Sequence, residues 1–183
     1  LNVIYEDIRN EEDWVKALLA ETYAKAMTES VRDETFLNNA CSLLNELRDD
    51  VLKVIVGAYV YHGLTSIWRP CFNTTPCTEL EKITGYLKDL GKQVISNLKE
   101  FLDAHSELKK YLEWLSINPE VMLGYIIEEA RSIALSGLGH CAWQRGDFNK
   151  AEEYYGEAAK IMMNIAHALH GPGHWANYLT WMK

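Results

Sequence analysis

Three histidines near the C-terminus are the side chains whose spacing best suits metal chemistry. His167 and His170 lie three residues apart on one face of a predicted helix, and His174 follows a Gly-Pro-Gly turn. Three imidazoles could hold a zinc ion and leave its fourth position open. No carboxylate lies within this stretch, and the dipole at a helix C-terminus favours histidine without any metal. A metal-dependent enzyme is therefore our third hypothesis.

Other patterns that would indicate an enzyme fail on spacing or on context. None of the histidines follows a glutamate by three residues, as the ligands of di-iron bundles do. His140 and Cys141 are adjacent, and adjacent residues of a helix do not face each other. A Gly137-x-Gly139-x-x-Ala142 pattern lies within a predicted helix, whereas the dinucleotide fingerprint follows a strand. We therefore predict that the protein is not an enzyme and binds no cofactor.

The four cysteines are too few to form a disulfide scaffold in 183 residues. Cys41 and Cys141 fall within helical patterns, where a buried free thiol is the ordinary state. Cys71 and Cys77 flank a short loop and could close it as a disulfide, which requires an oxidising compartment or a thermophilic cytosol. The first fifteen residues do not resemble a signal peptide, because they are acidic and lack an apolar run. We predict a cytoplasmic protein.

The charge and hydropathy patterns disfavour nucleic acids and membranes as partners. The chain has 26 acidic and 18 basic residues and a formal net charge of −8, whereas proteins that bind phosphate backbones normally carry a basic surplus. The most apolar stretch, residues 51–68, is too short and too mixed to cross a bilayer. An acidic composition also keeps a small helical protein in solution.

Apolar residues recur at steps of three and four along most of the chain, which predicts an all-α fold. We expect one domain over residues 1–183, built as an irregular helical repeat or as a bundle of seven or eight antiparallel helices. Its parts are a helical hairpin at residues 1–62, a loop at 63–77 and short helices at 78–116. A longer hairpin with a C-terminal capping helix follows at 117–183.

The helical hairpin near the C-terminus carries a recognisable pattern of large and small residues. Leu135, Leu138 and Gly139 are followed by a Gly-Asp-Phe turn at 146–148, and then by small and aromatic positions in a second helix. Residues 132–165 resemble a single tetratricopeptide repeat. Gly139 would let the two helices approach closely, and Gly146 would end the first of them. No clear second copy lies one repeat length away in either direction.

The resemblance implies a scaffold that binds a partner protein or peptide. The first helix of a tetratricopeptide hairpin usually faces the binding groove. The residues on that face are Ser136, His140, Trp143 and Gln144. Trp143 suits an aromatic or helical ligand.

A second resemblance leads to the alternative function. The C-terminal hairpin, with its Gly-Asp turn followed by His and Trp, is similar to HEPN-type helical domains, many of which are RNases or nucleotide-binding helpers. Active members carry an arginine followed at a set spacing by a histidine, and no arginine here meets that spacing. The resemblance therefore implies a nucleic-acid-associated accessory protein without RNase activity. The aromatic residues at 175–181 are consistent with a cap or with a homodimer interface.

Overall fold

The computed structural model of the chain describes residues 11–29, 34–66, 75–94 and 97–170. These ranges contain eight α-helices and no strand, so the prediction of an all-α fold is confirmed. The helices are α1 (Asp13–Glu29), α2 (Glu34–Glu46), α3 (Asp50–Ser66), α4 (Thr75–Val94), α5 (Leu98–Ala104), α6 (Ser106–Trp114), α7 (Pro119–Gln144) and α8 (Phe148–His170). No described helix is long and apolar enough to cross a membrane.

The 26-residue helix α7 lies at the centre of the fold. It packs against α3, α4 and α8, and its side chains Ile127, Ala130 and Ala134 are completely buried. Helix α3 contributes Ile55 and Val56 to the same core, and both are completely buried. Burial of this apolar surface is the main source of stability for such a helix.

Both ends of α7 form as the local sequence predicts. The Asn118 side chain accepts a hydrogen bond from the backbone N–H of Glu120 at 3.0 Å, and Pro119 occupies the first turn. At the other end Gly146 has a φ of +77°, which favours glycine. Asp147 then caps α8, because its Oδ1 accepts a hydrogen bond from the backbone N–H of Lys150 at 3.1 Å. The predicted helix start and hairpin turn are confirmed.

Two glycines of α7 allow its neighbours to approach closely. A Cβ added at Gly139 would lie 2.7 Å from a ring carbon of Tyr155 on α8. A Cβ added at Gly137 would lie 2.6 Å from Leu80 Cδ1 on α4. The close packing predicted at Gly139 is therefore confirmed, and α4 makes an equally close contact on another face of α7.

Another pairing replaces the possible disulfide between Cys71 and Cys77, and the free thiol predicted at Cys141 is corrected. Cys77 is bonded to Cys141, with a Cα–Cα distance of 6.1 Å. The cause is the close contact between Leu80 and Gly137, because each cysteine lies one helical turn from that contact. Cys71 lies outside the described residues.

The hairpin predicted for residues 1–62 contains an additional break, because α2 ends at Glu46 and α3 starts at Asp50. Asp49 caps the second helix, because its Oδ1 accepts hydrogen bonds from two backbone N–H groups of the first turn, at 2.9 and 3.0 Å. On α1, Asp13 Oδ2 accepts a hydrogen bond from the backbone N–H of Asp49 at 3.1 Å. The hairpin predicted for residues 1–62 therefore contains three helices in its described part.

Helix α4 begins earlier and runs longer than the sequence predicts. The capping pattern predicts a helix start at Thr78 and short helices over residues 78–116. Instead α4 starts at Thr75 and has 20 residues, so that α5 and α6 are the short helices of this region. Both α3 and α4 extend into the predicted loop at 63–77, and residues 67–74 lie outside the described part of the chain.

Candidate functional site

A pocket of about 540 Å³ opens between the end of α3 and the middle parts of α7 and α8. Among the described residues that line it, none is an aspartate, glutamate, lysine or arginine. The residues that line it are His62, Ser132, Ile133, Ser136, His140, Tyr155, Ala158, Ala159 and Met162. The volume lies within the range of small-molecule and side-chain binding sites.

The antiparallel packing of α7 and α8 places these residues together. Ser132, Ser136 and His140 follow one another at four-residue steps, so they share one face of α7. The Ser132 hydroxyl donates a hydrogen bond to the carbonyl of Ala158 at 2.9 Å, which ties the two helices together at the pocket. Ala158 and Ala159 are small, and they leave space that larger residues of α8 would fill.

Two histidines and a tyrosine meet in the pocket. The ring centroids of His62 and His140 lie 5.8 Å apart, and those of His140 and Tyr155 lie 5.7 Å apart in an edge-to-face arrangement. Burial, and secondarily the neighbouring His140, lower the pKa of His62 from 6.5 to about 4. Burial also lowers the pKa of His140 and raises the pKa of Tyr155. All three side chains are therefore uncharged at neutral pH.

Several polar atoms of the pocket have no protein partner among the described residues. Among the described residues, no hydrogen bond involves a ring nitrogen of His62 or His140, or the hydroxyl of Ser136. A neutral imidazole offers one N–H donor and one acceptor nitrogen. An occupant of the pocket could therefore use hydrogen-bonding groups that the fold itself does not use.

The four residues predicted to form the groove lie in three different environments. Ser136 and His140 line the pocket. Trp143 lies one turn further along the same face and is 51% exposed. The Gln144 side chain donates a hydrogen bond to the backbone carbonyl of Thr65 at 3.1 Å, so its amide holds the end of α3 against α7.

The sequence analysis missed the contribution of α3 and part of that of α8. His62 comes from α3, and no periodicity connects it with His140. Tyr155 is an aromatic position of the second helix in the repeat pattern, which indicates packing and not a pocket, and no sequence signal marks Met162. Only the packing of α3 across α7 brings these residues to one place.

The predicted histidine cluster lies mostly outside the described residues. His167 is exposed on α8, whereas the side chain of His170 and the whole of His174 are not described. Among the described residues no group of three or more His, Cys, Asp or Glu side chains could hold a metal ion. The aromatic residues at 175–181 also lie outside, so the homodimer stays a prediction.

A second pocket, of about 490 Å³, is polar and lies near the start of α1. Its carboxylates serve the fold. Asp13 and Asp49 cap the turn before α3, and Glu107 Oε2 accepts a hydrogen bond from the backbone N–H of Trp14 at 3.2 Å. These interactions join α1, α3 and α6, so we assign this pocket to the packing of helix ends.

Several basic side chains of the described part are paired with carboxylates. The pairs are Lys16–Glu46, Lys25–Glu21, Lys82–Glu79, Lys92–Asp89, Lys110–Glu12, Lys110–Glu107, Arg131–Glu128 and Arg131–Glu157. Such pairs reduce the positive potential that a phosphate backbone would need.

Comparison with known proteins adds no relative. No family model, curated protein or solved structure matches the chain. The similarity of residues 132–165 to a tetratricopeptide repeat therefore stays a prediction. Any proposal about function therefore rests on the geometry of the pocket.

Proposed function

We propose that the protein is a non-enzymatic helical scaffold that binds a segment of a partner protein along the outer face of α7. The observation that carries this proposal is the uncharged pocket, which leads along α7 to an exposed tryptophan. Ser136 and His140 line the pocket, and Trp143 lies one turn beyond them on the same face. This arrangement also suits the groove expected from the tetratricopeptide resemblance.

The proposed surface has the features of a protein interface. A pocket that receives one side chain provides an anchor, and exposed aromatic residues beside it add contact area. Trp143 and Phe148 flank the turn between α7 and α8 and are 51% and 63% exposed. Tryptophan is enriched among the residues that contribute most to binding energy. A peptide along α7 would cover both the pocket and this end of the hairpin.

The pocket suits binding better than base-activated catalysis. A serine nucleophile needs a hydrogen bond to its base. Ser136 and His140 share a face of α7, but no hydrogen bond joins them among the described residues. The nucleic-acid-associated alternative gains no support from the ion pairs of the described part.

The cytoplasmic location predicted from the sequence is kept as a proposal only for a thermophilic cytosol. A disulfide such as Cys77–Cys141 persists mainly in oxidising compartments. We therefore expect the chain to act either outside the reducing cytosol or in a thermophilic cytosol. Alkylation of the native protein before and after reduction would decide between oxidised and reduced cysteines.

A photo-crosslinking experiment tests the proposed surface. We would replace Trp143 with p-benzoylphenylalanine and irradiate the full chain in native lysate, once without and once after nuclease treatment. The matched control carries the same residue in place of Trp114, which is 61% exposed on α6. We expect a specific protein adduct from position 143 and none from position 114.

Two results would contradict this function. One is an adduct that forms equally well from both positions, since it would show no preference for the α7 face. The other is an adduct at position 143 that disappears after nuclease treatment, since it would support the nucleic-acid-associated alternative.

A further inference from the structure

We propose that the pocket between α3, α7 and α8 receives an uncharged aromatic ring carrying one hydrogen-bond donor, the chemistry of a tyrosine or tryptophan side chain. The claim that this ring belongs to a partner protein rests on the proposed function. The specificity for the ring itself rests on the pocket alone.

The walls of the pocket suit a flat apolar group. Ile133 and Met162 provide aliphatic and thioether surface, and sulfur makes favourable contacts with aromatic rings. Tyr155 already packs edge-to-face on His140, which is the arrangement that aromatic pairs prefer. The small side chains of Ala158 and Ala159 leave the room for an additional ring.

The imidazoles suit an occupant that donates a hydrogen bond. His62 and His140 are both neutral, and each neutral ring carries one acceptor nitrogen. No described residue donates to either ring. A buried acceptor that loses water without gaining a donor costs free energy. A phenol O–H or an indole N–H would supply the donor, whereas a phenyl ring would not.

The absence of charge in the described lining disfavours ionised occupants. The residues that α3, α7 and α8 contribute include the titratable His62, His140 and Tyr155, and no aspartate, glutamate, lysine or arginine. An ammonium or carboxylate group would lose its hydration without meeting an opposite charge. We therefore expect the pocket to select against charged side chains of similar size.

Small probes test this specificity without the partner. We would titrate the full-length protein at neutral pH with p-cresol, indole, toluene and phenylacetate, and follow the imidazole and tyrosine ring signals by NMR. We expect p-cresol and indole to bind about tenfold more tightly than toluene, as one hydrogen bond would give. Phenylacetate should produce no saturable shift.

Two variants and one control test which residues of the pocket cause this binding preference. His140→Phe keeps a ring of similar size but removes the acceptor, so the preference for p-cresol over toluene should fall to about twofold or less if His140 accepts the bond. Ala159→Trp fills the pocket and should abolish binding of every probe. Lys160→Trp is the matched control, because it places the same side chain at the neighbouring exposed position of α8. Circular dichroism would establish that each variant keeps its helices.

Several results would overturn the proposal. Equal affinity for toluene and p-cresol would remove the role of the donor, and tightest binding of phenylacetate would show that the histidines serve an anion. Failure of all probes to bind would also refute it. If no probe bound but an adduct still formed at position 143, this inference would be wrong and the proposed function would still be supported. If p-cresol bound the pocket but did not reduce the crosslinking from position 143, the pocket would bind a free small molecule and not the partner.

Discussion

Acid should destabilise this protein through His62. The neutral imidazole projects from α3 and lies, half-buried, beside His140 of α7. Its pKa falls from an ordinary value of 6.5 to about 4 in the folded protein. The unfolded chain therefore takes up a proton at a pH at which the folded chain does not. The stability that His62 contributes is fully present above pH 6.5 and is lost as the pH falls through 6.5 towards 4.

The size of the effect follows from the two pKa values. Between pH 8 and pH 5 the unfolded state becomes almost fully protonated at this site, whereas the folded state remains mostly neutral. The linkage relation converts this difference into a loss of about 2 kcal/mol from the free energy of unfolding. That is a substantial part of the stability of an ordinary domain.

Urea unfolding at both pH values would measure this loss in wild type, His62→Gln and His167→Gln. Glutamine cannot titrate, so the His62 variant should lose about 2 kcal/mol less than wild type between pH 8 and pH 5. The His167 variant removes an exposed histidine of α8 and should keep the wild-type dependence. Other titrating groups, including His140 and Glu129, are common to all three proteins and largely cancel. An identical pH dependence in wild type and His62→Gln would refute the reasoning.

Three further predictions concern packing, the disulfide and a buried acid. Gly139→Ala should lower the free energy of unfolding by about 1–3 kcal/mol, because its Cβ would overlap a tyrosine ring. Gly124→Ala is the control and should be neutral or stabilising, because an added Cβ there would meet nothing within 4 Å. Thermal unfolding that ranks the two variants in the opposite order would contradict this. Reduction of Cys77–Cys141, which closes a separation of 64 residues, should lower the free energy of unfolding by up to about 4 kcal/mol, and a stability unchanged by reductant would argue against the bond. Burial raises the pKa of Glu129 from 4.5. The free energy of unfolding of Glu129→Gln, relative to that of wild type, should therefore increase as the pH rises above 4.5. Urea unfolding at several pH values that shows a constant difference between the two proteins would contradict this.

Local signals made the α7–α8 hairpin predictable from the sequence. Asn118 and Pro119 determine where α7 starts, and Gly146 determines where it ends, because each acts through its own backbone and its nearest neighbours. Gly139 was predicted to permit a close approach, since a residue without a side chain is the simplest way to bring two helices together. These signals do not depend on the rest of the fold.

The disulfide and the pocket depend on which helices meet, and periodicity does not contain that information. Cys77 is bonded to Cys141 because α4 crosses α7 there, although Cys71 lies much closer in sequence. His62 joins His140 because α3 lies across the same helix. Ser136 and His140, which the sequence predicts to share the groove-facing side of α7, both line the pocket, but their neighbours from α3 and α8 required the packed structure.

The most direct test of the central claim is to fill the pocket and measure whether a partner still binds. Immobilised wild type, Ala159→Trp and Lys160→Trp would be incubated with nuclease-treated native lysate, and the amount of the protein that crosslinks to position 143 would be quantified on each. The account predicts full capture by wild type and by Lys160→Trp, and at least a tenfold loss with Ala159→Trp. Equal capture by all three proteins would contradict the claim that this pocket anchors the partner.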